Sequence, residues 1–187
     1  MNLLNIEEPK NSKEKKVCVG IDFGTTNSVC SVVIGKKTNF IKDENDQIII
    51  PTLIFYDNKK KKFGNNIIQR ESNFSISSIK RNFLKDPEDK IFIDENKKKI
   101  SSVEVARDFF IYLKDICDKF LNQKSYDCVL TVPAYYDERA RSEIMRAAFL
   151  SGLNIKRLIN EPTSAAFAYG LEKKRRGIFF VYDLGGG

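Results

Sequence analysis

The chain has 187 residues and a net charge of +7, and 42% of its residues are hydrophobic, which is enough for a folded core in one or two domains. It contains no histidine, which excludes histidine-based triads and histidine metal or haem sites. No run of about 18 apolar residues indicates a membrane span, and the first residues lack the pattern of a signal peptide. The lysines lie in short runs without interleaved aromatic residues, so we expect neither a nucleic-acid nor a membrane partner.

The four cysteines, Cys18, Cys30, Cys117 and Cys128, do not have the spacing of a metal site. We therefore predict reduced thiols in the core of a cytoplasmic protein.

Hydrophobic periodicity predicts strands and helices that largely alternate along the chain. We predict a polar leader at residues 1–16. We predict strands at 17–21, 29–34, 38–42, 128–132, 155–159 and 178–182, and a β-rich stretch at 48–56. We predict helices at 63–73, 101–122, 138–150 and 164–171, and an irregular stretch at 85–99.

The helix at 101–122 has the clearest pattern. Ser101 and Glu104 have the spacing of a capping box, which satisfies backbone donors at a helix start. The apolar residues that follow at helical spacing are Ala106, Phe109, Phe110, Leu113, Ile116, Cys117, Phe120 and Leu121.

Two glycine-marked turns each follow an apolar strand that ends in aspartate. Gly24, Thr25 and Thr26 come after Asp22, and Gly185, Gly186 and Gly187 come after Asp183. Glycines let backbone N–H groups approach a phosphate closely, and carboxylates fit beside phosphate when Mg²⁺ and its waters lie between them. Each turn alone is also compatible with an ordinary loop. The Walker A and G-x-G-x-x-G patterns do not occur.

Three strands in hairpin order, followed by alternating helices and strands, predict an α/β fold with a mixed sheet flanked by helices. The actin-like ATPases, with their ribonuclease H-like lobes, share this order. We assign residues 17–50 and 101–187 to the core of a first lobe. Residues 51–100 do not fit the alternation, and we predict that they form an inserted subdomain.

Four stretches resemble the DnaK-type seventy-kilodalton heat-shock chaperones. They are GIDFGTTNS at 20–28, TVPAYY at 131–136, NEPTSAAFAYGL at 160–171 and DLGGG at 183–187. The first and last also suit sugar kinases or actin relatives, whereas the middle two make the resemblance specific. The resemblance covers about half of that family's ATPase domain, without the second lobe or the substrate-binding domain, so we expect a truncated and inactive ATPase.

Residues 3–9 and 76–81 resemble the HscA branch of this family, which is dedicated to iron–sulfur cluster assembly. The resemblance implies a full-length chaperone that couples ATP hydrolysis to client binding and release. It also implies two partners, a J-domain co-chaperone and an iron–sulfur scaffold protein, and a client peptide bound by the missing domain. The open alternatives are a general DnaK, a non-catalytic remnant or interaction module, and a sugar or acetate kinase.

The resemblance also implies roles at the nucleotide. Gly24, Thr25, Thr26 and the glycines 185–187 would hold the phosphates of ATP, and Asp22 and Asp183 would arrange the water shell of Mg²⁺.

Further roles follow from the same resemblance. Lys80 would reach the γ-phosphate and the attacking water from the inserted subdomain, and Glu161 would position a metal-bound water. Pro133 and Arg141 would couple the nucleotide state to substrate affinity.

The chain departs from the family pattern at several positions. Phe23 stands where leucine is usual and Tyr136 where phenylalanine is common, and Ser164 and Phe167 replace alanine and isoleucine. The stretch at 82–85 also differs, which leaves the loop geometry near Lys80 open.

Overall fold

The computed structural model describes residues 17–56, 60–68, 71, 75–86, 91–93, 99–169 and 180–182. The predicted leader, Asp183 and the glycines 185–187 lie outside these residues.

The described residues contain ten strands, one 3₁₀ turn and four α-helices with defined bounds, and Glu71 is also helical. In chain order they are β1 (Cys18–Phe23), β2 (Asn27–Ile34), β3 (Lys37–Ile41), β4 (Ile50–Pro51), β5 (Ile54–Tyr56), β6 (Lys61–Phe63), a 3₁₀ turn (Gly64–Asn66), α1 (Ile79–Asn82), β7 (Ile91–Ile93), β8 (Lys99–Ser101), α2 (Ser102–Leu121), β9 (Asp127–Val132), α3 (Glu138–Leu150), β10 (Asn154–Asn160) and α4 (Glu161–Tyr169).

The main sheet has the strand order β10-β9-β1-β2-β3, with β4 also paired to β2. Strands β1, β2 and β3 form antiparallel hairpins, whereas β1, β9 and β10 run parallel. The parallel strands are connected through α2 and α3, as parallel pairing requires a crossover. The predicted α/β fold with a mixed sheet flanked by helices is therefore confirmed.

One face of this sheet carries the core. Along β1, Val19, Ile21 and Phe23 are buried, while the residues between them face the other side. The Phe23 ring lies 6.0 Å from the Phe109 ring and 4.9 Å from the Phe110 ring, which places α2 against this face. Helix α3 packs between α2 and β10. The buried residues, which alternate along the strands, thus pack against the apolar face of α2 and form one core with it.

Helix α2 has the capping box that the sequence predicts. The Ser101 side chain accepts the Glu104 N–H, and the Glu104 carboxylate accepts the Ser101 N–H. The predicted apolar stripe is buried as far as Cys117, but Phe120 is 45% exposed. Phe120 belongs to the predicted apolar stripe but is not buried, because the last turn of α2 lies beside the edge strand β3, where its ring and Phe40 line a shallow groove.

Two predictions between residues 61 and 101 are wrong in part. The first residues of the predicted helix at 63–73 form the end of β6, which pairs with β5, and the 3₁₀ turn of Gly64–Asn66, whereas Glu71 is helical and residues 69, 70, 72 and 73 lie outside the described residues. The predicted irregular stretch contains β7 and the start of β8, which pair with each other. In both places pairing with a neighbouring strand overrides the local helical or polar pattern. The core includes Ile54, Ile79 and Phe83, so the predicted insertion packs on the lobe, and its status as a subdomain stays a prediction.

The last elements also differ from the prediction. Helix α4 begins at Glu161, three residues before the predicted start, because Pro162 fits the first turn of a helix, where its missing N–H is not needed. Residues 180–182 were predicted as part of a strand, but they form no strand and pair with none of the described strands. Residues 170, 171, 178 and 179 of these two predictions lie outside the described residues.

All four cysteines are free thiols, as predicted, and Cys30, Cys117 and Cys128 are buried. Cys18 is exposed, which corrects its prediction as a core residue, because it starts β1 on the face that α2 does not cover. Burial raises the pKa of Cys128 to about 12. No helix in the described part of the chain is both long and apolar enough for a membrane span.

Candidate functional site

A cleft of about 870 Å³ opens at one edge of the main sheet. Strands β1, β9 and β10 are parallel, so their carboxyl ends meet at this edge, where α/β proteins commonly bind ligands. The cleft is lined by Asp22, Gly24, Thr25, Thr26, Asn27, Lys80, Thr131, Pro133, Ala134, Tyr135, Glu161, Pro162, Ser164, Ala165, Ala168, Val181 and Tyr182.

The turn between β1 and β2 is one wall of this cleft. The pairing of Phe23 with Ser28 closes it, and a Cβ at Gly24 would lie 2.0 Å from the Asn27 carbonyl oxygen. A side chain at position 24 would therefore break the turn. On the other side, the Thr52 N–H donates to the Thr26 carbonyl over 2.7 Å. The turn is thus fixed before any ligand binds, as a phosphate cradle requires.

Asp22 projects from the end of β1 into the cleft. Its Oδ1 accepts a hydrogen bond of 2.6 Å from the Thr131 hydroxyl on the neighbouring strand β9. No role was predicted for Thr131. The strand pattern nevertheless indicates its orientation. Thr131 lies between the apolar residues Leu130 and Val132, so its side chain belongs to the opposite face of the strand from theirs.

Lys80 and Glu161 meet across the cleft. Lys80 belongs to the one-turn helix α1 and Glu161 opens α4, and their side chains form an ion pair. The Lys80 side chain is 3% exposed and that of Glu161 is 26% exposed. The Lys80 Nζ also lies 5.9 Å from the centre of the Phe23 ring, within cation–π range. The structure therefore brings Lys80 to the glycine turn although more than 50 residues separate them in sequence.

Pro133 and Arg141 stand in different relations to the cleft. Pro133 lines it, and its carbonyl accepts the Tyr136 N–H over 3.2 Å. Arg141 is not among the lining residues. Its Nε donates to the Tyr136 carbonyl over 3.0 Å and its Nη2 to the Asn160 Oδ1 over 2.7 Å. Arg141 thus connects α3 to the residue that precedes Glu161.

The remaining predicted site residues, Asp183 and the glycines 185–187, lie outside the described residues. Among the described residues, no three His, Cys, Asp or Glu side chains come close enough to coordinate a metal ion together. Within the part of the chain that the structure describes, the cleft thus presents the exposed Asp22 carboxylate, the Lys80–Glu161 ion pair and the closed turn at Gly24 with Thr25 and Thr26.

Comparisons with known proteins agree on one family. The family model described as "Hsp70 protein" matches residues 18–83 and 58–187. Proteins named "Chaperone protein HscA homolog" are 36% identical in Rickettsia bellii, 35% in Rickettsia felis and 36% in Rickettsia typhi. These alignments cover all of this chain but 34%, 32% and 35% of the three relatives. The chain thus spans about a third of their length.

The sheet order and the cleft at its carboxyl edge define an actin-like ATPase lobe. With the family match over most of its residues, the chain belongs to the Hsp70 family, and its similarity to HscA homologues confirms the predicted branch resemblance.

Proposed function

We propose that this chain supplies one wall of the nucleotide site of an Hsp70-type chaperone ATPase. The observation that carries the proposal is the convergence of the closed Gly24 turn and the Lys80–Glu161 pair on one cleft. A cation held at a rigid turn of backbone donors suits a polyphosphate ligand, because both supply positive charge where phosphate oxygens would lie.

Each residue would have a separate task in that reaction. The turn would hold phosphate oxygens through its backbone N–H groups and the Thr25 and Thr26 hydroxyls. Lys80 would leave Glu161 to compensate charge on the terminal phosphate, and Glu161 would then be free to orient a water. Phosphoryl transfer to water depends mainly on such positioning and charge compensation.

Mg²⁺ fits this donor set as an outer-sphere partner. Asp22 is an exposed carboxylate at the cleft, and Mg²⁺ keeps several waters and binds readily to phosphate oxygens. Because the described residues offer no cluster for direct coordination, phosphate and water would supply most of the ligands. Asp22, oriented by Thr131, would accept hydrogen bonds from those waters. Asp183 and the glycines 185–187 would complete the site as the family resemblance implies.

The wider function follows from the relatives. These relatives are named as homologues of the chaperone HscA. We therefore propose a cytoplasmic chaperone that couples ATP hydrolysis to client binding in iron–sulfur cluster assembly, with a J-domain co-chaperone and a scaffold protein as partners. Pro133 and Arg141 would transmit the nucleotide state, since they contact Tyr136 and Asn160 next to the Lys80–Glu161 pair.

The proposal is tested by nuclear magnetic resonance of the isotope-labelled chain during titration with Mg·ATP. We expect chemical-shift changes at the Gly24–Asn27 turn, Thr131 and Lys80, with millimolar affinity because the proposed site forms one wall around the nucleotide. Lys80→Met should weaken the response. Lys114→Met removes another ion-paired lysine that does not line the cleft, so it is the matched control and should not weaken the response.

Two results would contradict the proposal. The first is the absence of any shift at the turn at saturating Mg·ATP, which would favour a non-catalytic interaction module. The second is a response that Lys80→Met and Lys114→Met reduce equally, which would indicate nonspecific attraction of the anion to a basic protein.

A further inference from the structure

The Tyr136 hydroxyl forms a buried hydrogen bond that the proposed chemistry does not use. Tyr136 is 4% exposed, and its hydroxyl donates to the Lys80 backbone carbonyl over 2.6 Å. This bond joins the loop after β9 to the helix that carries Lys80.

Helix α1 needs an external support. It has one turn, Ile79–Asn82, and a helix of that length is not stable by itself. The residue before it, Ser78, has φ 52°, a left-handed conformation that is strained for a residue other than glycine. The Lys80 carbonyl also accepts the Phe83 N–H, but at a long 3.4 Å. The bond from the Tyr136 hydroxyl is therefore the shorter of the two that the Lys80 carbonyl accepts, and it fixes the position of a strained turn.

Tyr136 is itself held at both ends. Its N–H donates to the Pro133 carbonyl and its own carbonyl accepts from Arg141. Its ring packs against that of Phe83, with centroids 6.4 Å apart. Burial, together with the neighbouring Tyr135 and Glu161, raises the pKa of Tyr136, so the phenol stays protonated and remains a donor at neutral pH. A donor fixed in this way can impose its position on its acceptor.

We propose that Tyr136 is a positioning residue whose hydroxyl fixes the Lys80 backbone, so that the Lys80 ammonium is held at Glu161 and the glycine turn. The consequence for catalysis rests on the proposed function, whereas the positioning itself does not. The link is closed into a ring, because Arg141 joins Tyr136 to Asn160 and Asn160 precedes Glu161 in the chain.

The first experiment compares Tyr136→Phe with Tyr126→Phe in the chain without nucleotide. Tyr126 is also buried, and its hydroxyl bonds Asp118 and the Lys114 carbonyl, so it is a matched tyrosine beside another ion-paired lysine. The readout is the exchange rate of the lysine ammonium protons with water, measured by nitrogen-15 resonance. Tyr136→Phe should speed the exchange at Lys80 about three- to tenfold, as expected for the loss of one hydrogen bond. Lys114 should be unchanged.

The control variant should give the reverse pattern, with faster exchange at Lys114 and an unchanged Lys80. Urea unfolding of both variants separates positioning from global loss of stability, because a general effect would speed the exchange at both lysines. Unchanged exchange at Lys80 in Tyr136→Phe would overturn the proposal, and so would equal effects of Tyr136→Phe on Lys80 and Lys114.

A second titration separates this proposal from the proposed function. The probe is Mg·pyrophosphate, added to the parent and to Tyr136→Phe. If the parent responds at the Gly24–Asn27 turn, the variant should respond about three- to tenfold more weakly, and an equal response would show that Tyr136 does not act through Lys80. If the parent does not respond, the proposed function fails, while the exchange measurement still decides the role of Tyr136.

Discussion

At the scale of single residues, Lys80 is a charge that is held in a nearly buried position. Its ammonium is nearly removed from water, and its partner Glu161 is 26% exposed. Withdrawing a charge from water is costly, and a partner compensates the cost only when the geometry is good. The two members of this pair should therefore respond differently to substitution.

We expect Glu161→Gln to destabilise the chain, because it leaves the Lys80 ammonium buried without a counter-charge. The loss in the free energy of unfolding should be smaller than for a fully buried pair, where it is typically about 3–5 kcal/mol, since water still reaches position 161. Lys80→Met should change the free energy of unfolding by less than about 1 kcal/mol, because an apolar chain of similar length fills the site and Glu161 can be hydrated. Urea melts of both variants measure this, and equal losses would contradict it.

Asp108 is a second buried charge, with a structural task. Its carboxylate is 4% exposed and accepts the Tyr56 hydroxyl over 3.0 Å, Lys61 over 2.7 Å and Arg107 over 2.8 Å. It thereby ties the β5–β6 hairpin to α2. Burial and the Asp108 charge raise the pKa of Tyr56, so this phenol remains a donor.

Asp108→Ala should lower the free energy of unfolding by about 1.5–3 kcal/mol, since it removes hydrogen bonds to a charged acceptor and leaves the Tyr56 hydroxyl without its partner. Asp115→Ala, an exposed aspartate on the same helix, should cost little and is the control. Thermal or urea unfolding decides the matter, and similar curves for the two variants would show that the hairpin is held by other contacts.

At the scale of elements, α2 connects the sheet to the hairpin. Its buried stripe faces β1, while the Tyr112 ring stacks on Phe63 of β6 at 5.0 Å. Periodicity alone predicted this stripe, because its residues recur at i, i+3 and i+4. It did not predict where the covering sheet stops, and Phe120 therefore belongs to the stripe without being buried.

Phe109→Ala and Leu113→Ala should each cost about 2–5 kcal/mol, as deletions of fully buried side chains do. Phe120→Ala removes an equally large ring from the same helix, and we expect it to cost less than about 1 kcal/mol because the ring is already half in water. The comparison in denaturant melts tests the buried face directly. A loss for Phe120→Ala as large as that for Phe109→Ala would mean that another element covers the end of α2.

At the scale of the whole molecule, the core contains several acidic groups that are neutral when folded. Burial raises the pKa of Tyr112, Tyr126 and Tyr136 above the ordinary tyrosine value. The pKa of Cys30 is also raised, by its hydrogen bond with Cys117 and by burial. The unfolded chain therefore loses these protons at lower pH than the folded chain does.

The stability should consequently be constant from neutral pH to about 8.5, the ordinary thiol pKa, and then fall as the pH rises. Above about pH 10 each buried tyrosine adds a slope of about 1.4 kcal/mol per pH unit, until its folded pKa is reached. Urea melts between neutral pH and pH 11 measure the slope. Tyr126→Phe should make it shallower, whereas Tyr169→Phe, an exposed tyrosine, should not. Stability that rises with pH in this range would contradict the assignment.

The sequence by itself determined the features that depend on neighbours along the chain. These are the glycine-marked turn after Asp22, the capping box at Ser101, the bounds of Glu138–Leu150 and the family motifs. Each depends on local sterics, local hydrogen bonds or a repeat of the helical period, which are readable in a short window.

Only the tertiary structure decided which distant groups meet. Residues from separate elements are joined by the Lys80–Glu161 pair, by the Thr131–Asp22 bond and by the bond from the Tyr136 hydroxyl to the Lys80 carbonyl. Strands β6 and β7 exist because other strands pair with them. The family resemblance pointed to Lys80 and Glu161, but no local pattern could place them together. Such contacts follow from how the elements pack, because the free energy of burial and pairing outweighs the weak local preferences of short segments.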